Sequence, residues 1–325
     1  MQPPHFWHRP PGLWSTLLAP LGALYAAGTA RRLAKGTLLR LSVPVICVGN
    51  INAGGTGKTP TVIALAQRLQ DMGHTPHIVS RGYGGSVTAA VQVDERSHRA
   101  ANVGDEPMLL AAFAPTWVSP DRAEGAQLAV QNGADVIILD DGFQNPGLHK
   151  DLSMVVVDAA RGFGNGKVLP AGPLREPVAT GLARADLLLC IGPKKAQSHF
   201  TEAWGQPSCP HLKGRLAPLQ TGMDWQGSRV LAFAGIGHPQ KFFATVQELG
   251  AEIVKSEALE DHQPLSQALM ARLENEAKLL DAQLVTTEKD ATRLPDDFRA
   301  KVLAVPVRLE IEDWSALDKA LSKLF

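Results

Sequence analysis

A glycine-rich segment follows a short apolar run near the start of the chain. Residues 45–48 have the composition of a buried strand, and Lys58 opens a stretch with helical character. In this strand–loop–helix context, backbone N–H groups can surround phosphate oxygens, a lysine can reach the β and γ phosphates, and a threonine hydroxyl can bind magnesium. The strict pattern G-x-x-x-x-G-K-[ST] is not met, because residue 52 is asparagine. We predict a nucleotide phosphate site, rather than a purely structural turn, formed by Asn52, Ala53, Gly54, Gly55, Thr56, Gly57, Lys58 and Thr59.

Two adjacent aspartates follow a second apolar run. Residues 136–139, Val-Ile-Ile-Leu, lead directly into Asp140 and Asp141. Ligands bind at the carboxyl ends of strands in open parallel sheets, and an aspartate there can hold magnesium directly or through water. An Asp-Asp-Gly sequence is also an ordinary turn. Beside the phosphate loop, however, the metal role is favoured for Asp140.

Other polar groups are ambiguous from their spacing alone. Asp105 and Glu106 precede a proline, where they could cap a helix, and His262 stands alone in an Asp-His-Gln sequence. Arg81 and Arg122 could bind phosphate or simply lie in loops. Each of these groups needs a partner elsewhere in the chain before it indicates a function.

The order of elements is that of a parallel α/β protein. From residue 43 onward, short β-branched runs alternate with helical stretches. The predicted strands are residues 45–48, 77–80, 136–139, 154–158, 187–191, 229–234, 252–255, 284–287 and 302–305, and the main predicted helices are 58–70, 107–112, 124–132, 239–249, 265–280 and 314–324. The Gly/Pro-rich stretch 161–177 interrupts the alternation, which restarts at residue 229. We therefore predict two doubly wound domains that meet between residues 165 and 225. The sequence Thr-Thr-Glu-Lys-Asp at 286–290 follows a strand, at a ligand-binding edge.

The composition is that of a folded protein of about two domains. The chain has 325 residues, of which 45% are hydrophobic and 20% charged, and no apolar run is long enough to span a membrane. Its three cysteines form no C-x-x-C pair. This pattern argues against a disulfide framework or a cysteine zinc site and favours a reducing cytosol.

The N-terminal segment is basic and carries an apolar stripe. The first 70 residues contain seven Lys and Arg side chains and no carboxylate, which indicates an anionic partner such as phosphate, a membrane surface or nucleic acid. Apolar residues recur at helical spacing from Leu13 to Tyr25, and three basic side chains follow at residues 31–35. This predicts an amphipathic helix, bent near Pro20, whose apolar part is about 20 Å long and too short to cross a bilayer. It could lie in a membrane interface or pack on the protein's own core.

Taken together, these segments resemble the tetraacyldisaccharide 4'-kinase family, the lipid A 4'-kinases. The resemblance covers nearly the whole chain and rests on the order of the motifs. They are the Phe6-Trp7 and Leu18-Ala19-Pro20-Leu21 opening, Val48-Gly49-Asn50, Gly54-Gly55-Thr56-Gly57-Lys58-Thr59-Pro60, Ser80-Arg81-Gly82-Tyr83-Gly84, Val103-Gly104-Asp105-Glu106-Pro107, Asp140-Asp141-Gly142-Phe143-Gln144, Pro170-Ala171-Gly172-Pro173-Leu174-Arg175-Glu176-Pro177, Ala234-Gly235-Ile236, Asp261-His262 and Val285-Thr286-Thr287-Glu288-Lys289-Asp290.

The resemblance implies an enzyme that uses ATP and Mg²⁺ to phosphorylate the 4'-hydroxyl of a lipid A disaccharide 1-phosphate. It also implies a peripheral position at the cytoplasmic face of the inner membrane of a Gram-negative bacterium, and it therefore favours interfacial attachment of the N-terminal helix. It implies neither nucleic acid nor an obligate protein partner.

The implied architecture has a P-loop NTPase-like α/β/α domain and a second doubly wound α/β/α domain, joined by a small β linker. We assign residues 1–40 to a membrane-associated amphipathic segment and residues 41–180 to the kinase domain. Residues 181–325 form the second domain with the linker, and this domain contributes His262.

The resemblance further implies roles for individual residues. Asp105 would accept the proton of the sugar hydroxyl, with His262 paired to it and Lys58 on the transferred phosphate. Magnesium would be held by Thr59, Glu106 and Asp140. Candidates for substrate contacts are Arg81, Tyr83, Arg122, Asp141, Gln144 and Arg175.

Two positions depart from the family pattern. Asn145 follows Gln144 where the family usually has a histidine, and Gln263 stands where a second histidine is common. The main alternative function is that of a membrane-associated regulatory or partitioning ATPase with the same Gly-Gly-Thr-Gly-Lys-Thr loop. Such proteins place a lysine before the glycine pair, where this chain has Ala53.

Overall fold

A computed structural model describes residues 4–261 and 263–325, which form two lobes built around separate sheets. The strands in these residues are β1 Val45–Gly49, β2 Pro76–Ser80, β3 Val91–Gln92, β4 Thr116–Val118, β5 Val136–Asp140, β6 Leu152–Asp158, β7 Leu187–Ile191, β8 His211–Pro218, β9 Arg229–Ala234, β10 Glu252–Ala258, β11 Gln283–Thr287, β12 Val302–Val305 and β13 Val307–Ile311. The α-helices are α1 Leu13–Leu17, α2 Ala19–Lys35, α3 Lys58–Asp71, α4 Ala100–Val103, α5 Asp105–Ala111, α6 Arg122–Gln131, α7 Val178–Leu182, α8 Lys194–Trp204, α9 Pro239–Glu248, α10 Gln267–Leu279, α11 Glu288–Ala291, α12 Asp296–Arg299 and α13 Ser315–Leu321.

The larger lobe contains a nine-stranded sheet in the order β13-β8-β7-β6-β1-β5-β2-β4-β3. Its strands are parallel except at the two edges, where β13 and β3 run antiparallel to their neighbours. In β1, Ile46 and Val48 enter the core on one side of the sheet, whereas Val45 and Cys47 enter the core on the other. Both faces of the sheet are thus covered, as a doubly wound fold requires.

The topology brings three strand ends together at the carboxyl edge of this sheet. β1 lies between β5 and β6, and Val48 of β1 pairs with Asp140 of β5. β2 lies on the other side of β5 and ends at Ser80. Because these strands are parallel, the loops that follow them share one edge, which is where an open α/β sheet binds ligands.

The smaller lobe contains a four-stranded parallel sheet in the order β10-β9-β11-β12. In its central strand β9, Val230 and Ala232 belong to one apolar core, and Leu231 and Phe233 belong to the core on the opposite face. The two alternating α/β units predicted from the sequence therefore exist, and the fold is confirmed.

The boundary expected at residue 180 falls inside the nine-stranded sheet. β7 pairs with β6, β8 pairs with β7, and β13 returns from the smaller lobe to pair with β8. Helix α13 then packs Leu317 and Leu321 into the core of the larger lobe. The smaller sheet spans residues 229–305, and the antiparallel pair β8–β13 leads into and out of it. These two strands were not predicted, although buried and exposed positions alternate at residues 212–215 of β8 and 309–311 of β13.

The N-terminal segment forms two helices separated by Leu18, with Pro20 in the first turn of α2. Small and polar residues face the protein, and at Gly22 a Cβ atom would lie 2.9 Å from the Val168 carbonyl oxygen. The large apolar side chains point away from the protein: Leu13, Trp14, Leu17, Leu21 and Leu24 are between 52% and 72% exposed. No helix in the described part of the chain is long and apolar enough to cross a membrane.

Candidate active site at the carboxyl edge of the larger sheet

The phosphate loop is an open turn between β1 and α3. Gly54 and Gly57 adopt φ angles of 111° and 97°, which residues with a Cβ atom rarely adopt. The side-chain amide of Asn50 donates to the carbonyl oxygen of Gly54 at 3.2 Å and to Oγ1 of Thr56 at 3.1 Å. These bonds give the loop a defined shape, and Gly54 and Gly55 remain exposed.

The start of the loop is fixed by the Gly/Pro-rich segment. The Ala53 N–H donates to the Pro173 carbonyl at 2.7 Å, and the Asn52 side chain donates to the Gly162 carbonyl at 3.0 Å. Asn52 and Ala53 thus contact neighbouring backbone. Residues 54–59 form the part of the predicted site that is open to a ligand.

Three cations surround Asp141. Lys58 Nζ lies 3.6 Å from Asp141 Oδ1, Arg175 Nη1 donates to the same oxygen at 3.0 Å, and Arg122 donates to the Asp141 carbonyl at 3.1 Å. Burial alone would raise the pKa of Asp141, but Lys58 and Arg175 outweigh it and hold the pKa below its ordinary value. The site therefore contains a concentration of positive charge that suits phosphate groups.

Asp140 is the most buried acid at the strand ends. It is 2% exposed, Ser80 Oγ donates to its Oδ2 at 3.0 Å, and its buried Oδ1 accepts no hydrogen bond in the described part of the structure. Burial, followed by repulsion from Glu106 and Asp141, raises its pKa to about 7. An uncompensated carboxylate oxygen near a second carboxylate is a favourable environment for a cation.

This donor set fits magnesium. Asp140, Glu106 and the hydroxyl of Thr59 offer oxygen ligands, which Mg²⁺ prefers, and Thr59 lies in the first turn of α3. Among residues 4–261 and 263–325, no three His, Cys, Asp or Glu side chains form a ready metal cluster. Mg²⁺ does not require one, because it takes several of its ligands from water and nucleotide phosphates.

Asp105 opens helix α5 and is 4% exposed. Gly104, with a φ of 96°, turns the chain into the helix, and Asp105 Oδ1 accepts the Glu106 N–H at 2.9 Å. The positive end of a helix stabilises an anion at this position. The structure thus brings Asp105 and Glu106, which were ambiguous in the sequence, to the same edge as Asp140.

The smaller lobe contributes two cations to this region. Lys289 Nζ lies 3.0 Å from Glu106 Oε1 and 4.0 Å from Asp105 Oδ2, and Arg293 Nε lies 3.8 Å from Asp105 Oδ2. Burial opposes the charge on Lys289, but Glu106, Asp105 and Asp261 outweigh burial and raise its pKa. The sequence placed residues 286–290 at a strand end but gave no signal for Arg293.

Gln144 connects several of the predicted residues. Its amide donates to the Asn50 carbonyl at 2.9 Å and to Glu176 Oε1 at 2.8 Å, and its Oε1 accepts from Arg175 at 3.3 Å. Glu176 is in turn held by Arg184 through two bonds of 2.7 and 2.6 Å. Ser80 and Glu176 are contacts of the site that sequence analysis missed as functional residues, although both adjoin predicted ones.

The remaining predicted residues lie in surface loops or outside the residues that the structure describes. Arg81 and Tyr83 are exposed, in the loop after β2. Among the described residues, Asn145 hydrogen-bonds to its neighbours in the chain: its Oδ1 accepts the Gly147 N–H at 2.8 Å and its carbonyl accepts from Lys150 at 2.7 Å. The predicted partner of Asp105, His262, lies outside the described residues.

A phosphate loop at the end of a central parallel strand, faced by buried carboxylates from the neighbouring strands, defines a nucleotide-binding protein of the P-loop class. Asp105, apart from the phosphate loop and flanked by cations of a second lobe, is suited to a phosphotransferase of that class. A family model described as "Tetraacyldisaccharide-1-P 4'-kinase" matches residues 14–325. The chain belongs to this family.

Individual relatives agree with this assignment. The chain is 62% identical over 325 residues to a protein of Jannaschia sp. (strain CCS1) named tetraacyldisaccharide 4'-kinase, covering 100% of this chain and 99% of the relative. It is also 62% identical over 330 residues to the protein of that name from Dinoroseobacter shibae, covering 100% and 98% of the two chains. The crystal structure of "apo" form LpxK from Aquifex aeolicus in complex with ATP matches with a TM-score of 0.76 and 26% identity, over 96% of this chain and 100% of that one.

Proposed function

We propose that the protein transfers the γ-phosphoryl group of ATP to the 4'-hydroxyl of tetraacyldisaccharide 1-phosphate, the lipid A precursor. The family assignment identifies the reaction. The observation that carries its assignment to this site is the convergence of the open phosphate loop, the uncompensated Asp140 and the helix-borne Asp105 at one edge of the larger sheet. Phosphoryl transfer to an alcohol needs these three functions.

The phosphate loop and its cations bind the nucleotide. N–H groups of residues 54–59 would surround the β and γ phosphates, and Lys58 would exchange its ion pair with Asp141 for the phosphate oxygens. Arg175 and Arg122 hold Asp141 in place during this exchange, because they contact its carboxylate and carbonyl independently of Lys58. Asp140, Glu106 and Thr59 would hold Mg²⁺, which neutralises charge on the phosphates.

Asp105 acts as the base. The 4'-oxygen forms a bond to the γ-phosphorus while the bond from that phosphorus to the β–γ bridging oxygen breaks, and ADP leaves. The Asp105 carboxylate, whose Oδ1 accepts the Glu106 N–H, takes the hydroxyl proton. In the proposed dyad, His262 of the smaller lobe supports the carboxylate. An aspartate is a weak base, but an in-line transfer with a loose transition state requires the proton to leave only late.

The acceptor is bound by the rest of the edge and by the membrane surface. Arg81, Tyr83 and Gln144 are candidates for contacts with the disaccharide. The exposed apolar side chains of α1 and α2, followed by Arg31, Arg32 and Lys35, suit attachment to an anionic lipid surface. A peripheral position at the cytoplasmic face of the inner membrane would give the site access to both ATP and a tetraacylated lipid.

An acceptor-dependent phosphorylation assay tests this function. ADP release is measured with and without tetraacyldisaccharide 1-phosphate in detergent micelles, and the lipid product is examined by mass spectrometry for one added phosphate. We expect ADP release to require the lipid and the added phosphate to lie at the 4' position. ADP release that does not depend on the lipid, with no phosphorylated lipid formed, would instead indicate the regulatory ATPase.

A further inference from the structure

Arg293 of the smaller lobe places a buried N–H group close to the carboxylate of Asp105. Its side chain is only 12% exposed, and its Nε lies 3.8 Å from Asp105 Oδ2, within ion-pair distance. Nε is buried and has no hydrogen-bond partner among the residues that the structure describes. An approach of about 1 Å would complete a hydrogen bond between Nε and Asp105. A buried donor without a partner is costly, so its direction toward the proposed base calls for an explanation.

The rest of the Arg293 guanidinium binds loops of its own lobe. Nη1 donates to the Gln263 carbonyl at 3.0 Å, and Nη2 donates to the Gly235 carbonyl at 3.3 Å. A Cβ atom on Gly235 would lie 2.8 Å from Arg293 Nη2, so the guanidinium fills the space above this glycine. The same group therefore contacts the loop after β9, the loop after β10 and, across the lobes, Asp105.

Asp290 fixes the orientation of the guanidinium. It is fully buried and pairs with Arg293 Nη2 through Oδ1, while its Oδ2 accepts the Gly235 N–H at 3.0 Å and the Thr287 hydroxyl at 2.7 Å. Lys289, the other cation of this region, is closer to Glu106 than to Asp105. Arg293 is thus the smaller-lobe cation whose open donor is directed at Asp105.

We propose that Arg293 is a positioning residue that ties the carboxylate of Asp105 to the two loops of the smaller lobe at Gly235 and Gln263. Asp105 is attached to the larger lobe through α5, and the guanidinium makes the geometry of its carboxylate depend on the smaller lobe as well. The assignment rests on the proposed role of Asp105 as the base. Among the described residues, Arg293 makes its hydrogen bonds and ion pairs with residues other than the phosphate loop and Lys58.

A double-mutant cycle in the full-length protein tests the assignment. Arg293→Gln is measured alone and together with Asp105→Asn, with radiolabelled ATP and tetraacyldisaccharide 1-phosphate. We expect Arg293→Gln to lower kcat by about 10- to 100-fold, with the KM for ATP changed by less than about twofold. In the Asp105→Asn background the same substitution should lower kcat by less than about twofold, because the group through which Arg293 acts is already absent.

Two further variants separate positioning from folding. Arg293→Lys keeps the charge but cannot hold both carbonyls. Gly235→Ala leaves Arg293 unaltered and places a Cβ atom 2.8 Å from Arg293 Nη2 and 3.2 Å from Asp290 Oδ1, which displaces the guanidinium and its partner. Both variants should lower kcat in the protein that retains Asp105 and leave kcat unchanged in the Asp105→Asn protein. They therefore show whether Arg293 acts through Asp105 even if Arg293→Gln does not fold. Arg299→Gln, a change of the same type at an exposed arginine of α12, is the matched control and should leave kcat unchanged.

The outcomes distinguish this inference from the proposed function. If the wild-type protein does not phosphorylate the lipid, the proposed function fails. If the wild type is active but the Arg293 and Gly235 variants retain full kcat, or lower kcat equally in both backgrounds, Arg293 does not act through Asp105 and the inference is wrong.

Discussion

The smaller lobe reaches buried aspartates of the larger lobe at two places, with different surroundings. At the first, Lys289 and Arg293 approach Glu106 and Asp105 at the start of α5. At the second, Lys241 of α9 pairs with Asp158 at the end of β6, at 2.5 Å. The chemistry of both contacts is that of a cation and a buried carboxylate.

The difference lies in what else each aspartate contacts. Asp158 Oδ1 accepts the Ala160 N–H, so that carboxylate is satisfied by its own loop and by Lys241. Asp105 lies beside Glu106, which interacts electrostatically with Asp140, and so belongs to the proposed site. An ion pair between lobes can therefore serve attachment alone or the chemistry as well. The neighbours of its carboxylate distinguish the two cases.

The largest effect is expected from Asp105→Asn, which removes the proposed base without changing the size of the side chain. We expect kcat to fall by about 10²- to 10⁴-fold with a small change in the KM for ATP. Combined with His262→Ala, it should be little worse than the poorer single variant, because residues that act as one unit are not additive. Steady-state kinetics of the three variants check this, and multiplicative losses would contradict the dyad.

Lys58→Ala should have the next largest effect. The substitution removes the charge that faces the phosphates, and we expect kcat to fall by about 10²- to 10³-fold. Stability should change little, because Lys58 is not part of an apolar core and Asp141 keeps its contact with Arg175. Activity and circular dichroism on heating measure the two effects separately. Near-normal turnover would exclude Lys58 from the mechanism.

The N-terminal helices provide a test in which binding changes but chemistry does not. Replacing Leu17, Leu21 and Leu24 by serine removes exposed apolar surface and touches neither interlobe contact. We expect the variant to shift from vesicles of anionic phospholipid to the soluble fraction in flotation, and the KM for the lipid to rise about tenfold or more. The KM for ATP should remain unchanged.

A triple substitution to serine is preferable to deletion of residues 1–35, because the start of the chain supports the site. The Trp7 indole donates to the Pro170 carbonyl, and the segment around residues 162–173 fixes the start of the phosphate loop. A matched control replaces three exposed polar residues of the larger lobe by serine. Unchanged vesicle binding of the leucine variant would show that the apolar stripe is not the attachment surface.

The sequence was sufficient for the parts of the fold and site that depend on local patterns. Strands β7, β9 and β12 begin and end as their β-branched runs predict, and Lys58 and Asp140 follow motifs contained in one strand and its loop. Strands β8 and β13 escaped prediction because each pairs with the other, which is distant in the chain. Arg293 escaped it for the same reason. The neighbouring contact from Lys289 to Glu106 spans 183 residues, and no local pattern records which lysine or arginine of the smaller lobe will meet α5.

The smallest effect is expected from Lys241→Gln at the other interlobe contact. Lys241 is about half exposed, glutamine can still donate a hydrogen bond to Asp158, and Asp158 keeps the Ala160 N–H. We expect the free energy of unfolding to fall by about 1 kcal/mol or less and kcat to stay within about twofold of the wild type. Lys255→Gln, which breaks the 2.9 Å ion pair to Glu276 inside the smaller lobe, is the matched control for loss of one partly exposed pair. Chemical denaturation and steady-state kinetics give both quantities.

If Lys241→Gln lowered kcat as strongly as Arg293→Gln while Lys255→Gln did not, attachment of the lobes would itself limit turnover, and the distinction between the two contacts would be lost. If kcat instead falls in Arg293→Gln and not in Lys241→Gln, the cation near Asp105 acts on the chemistry and Lys241 serves only to join the lobes.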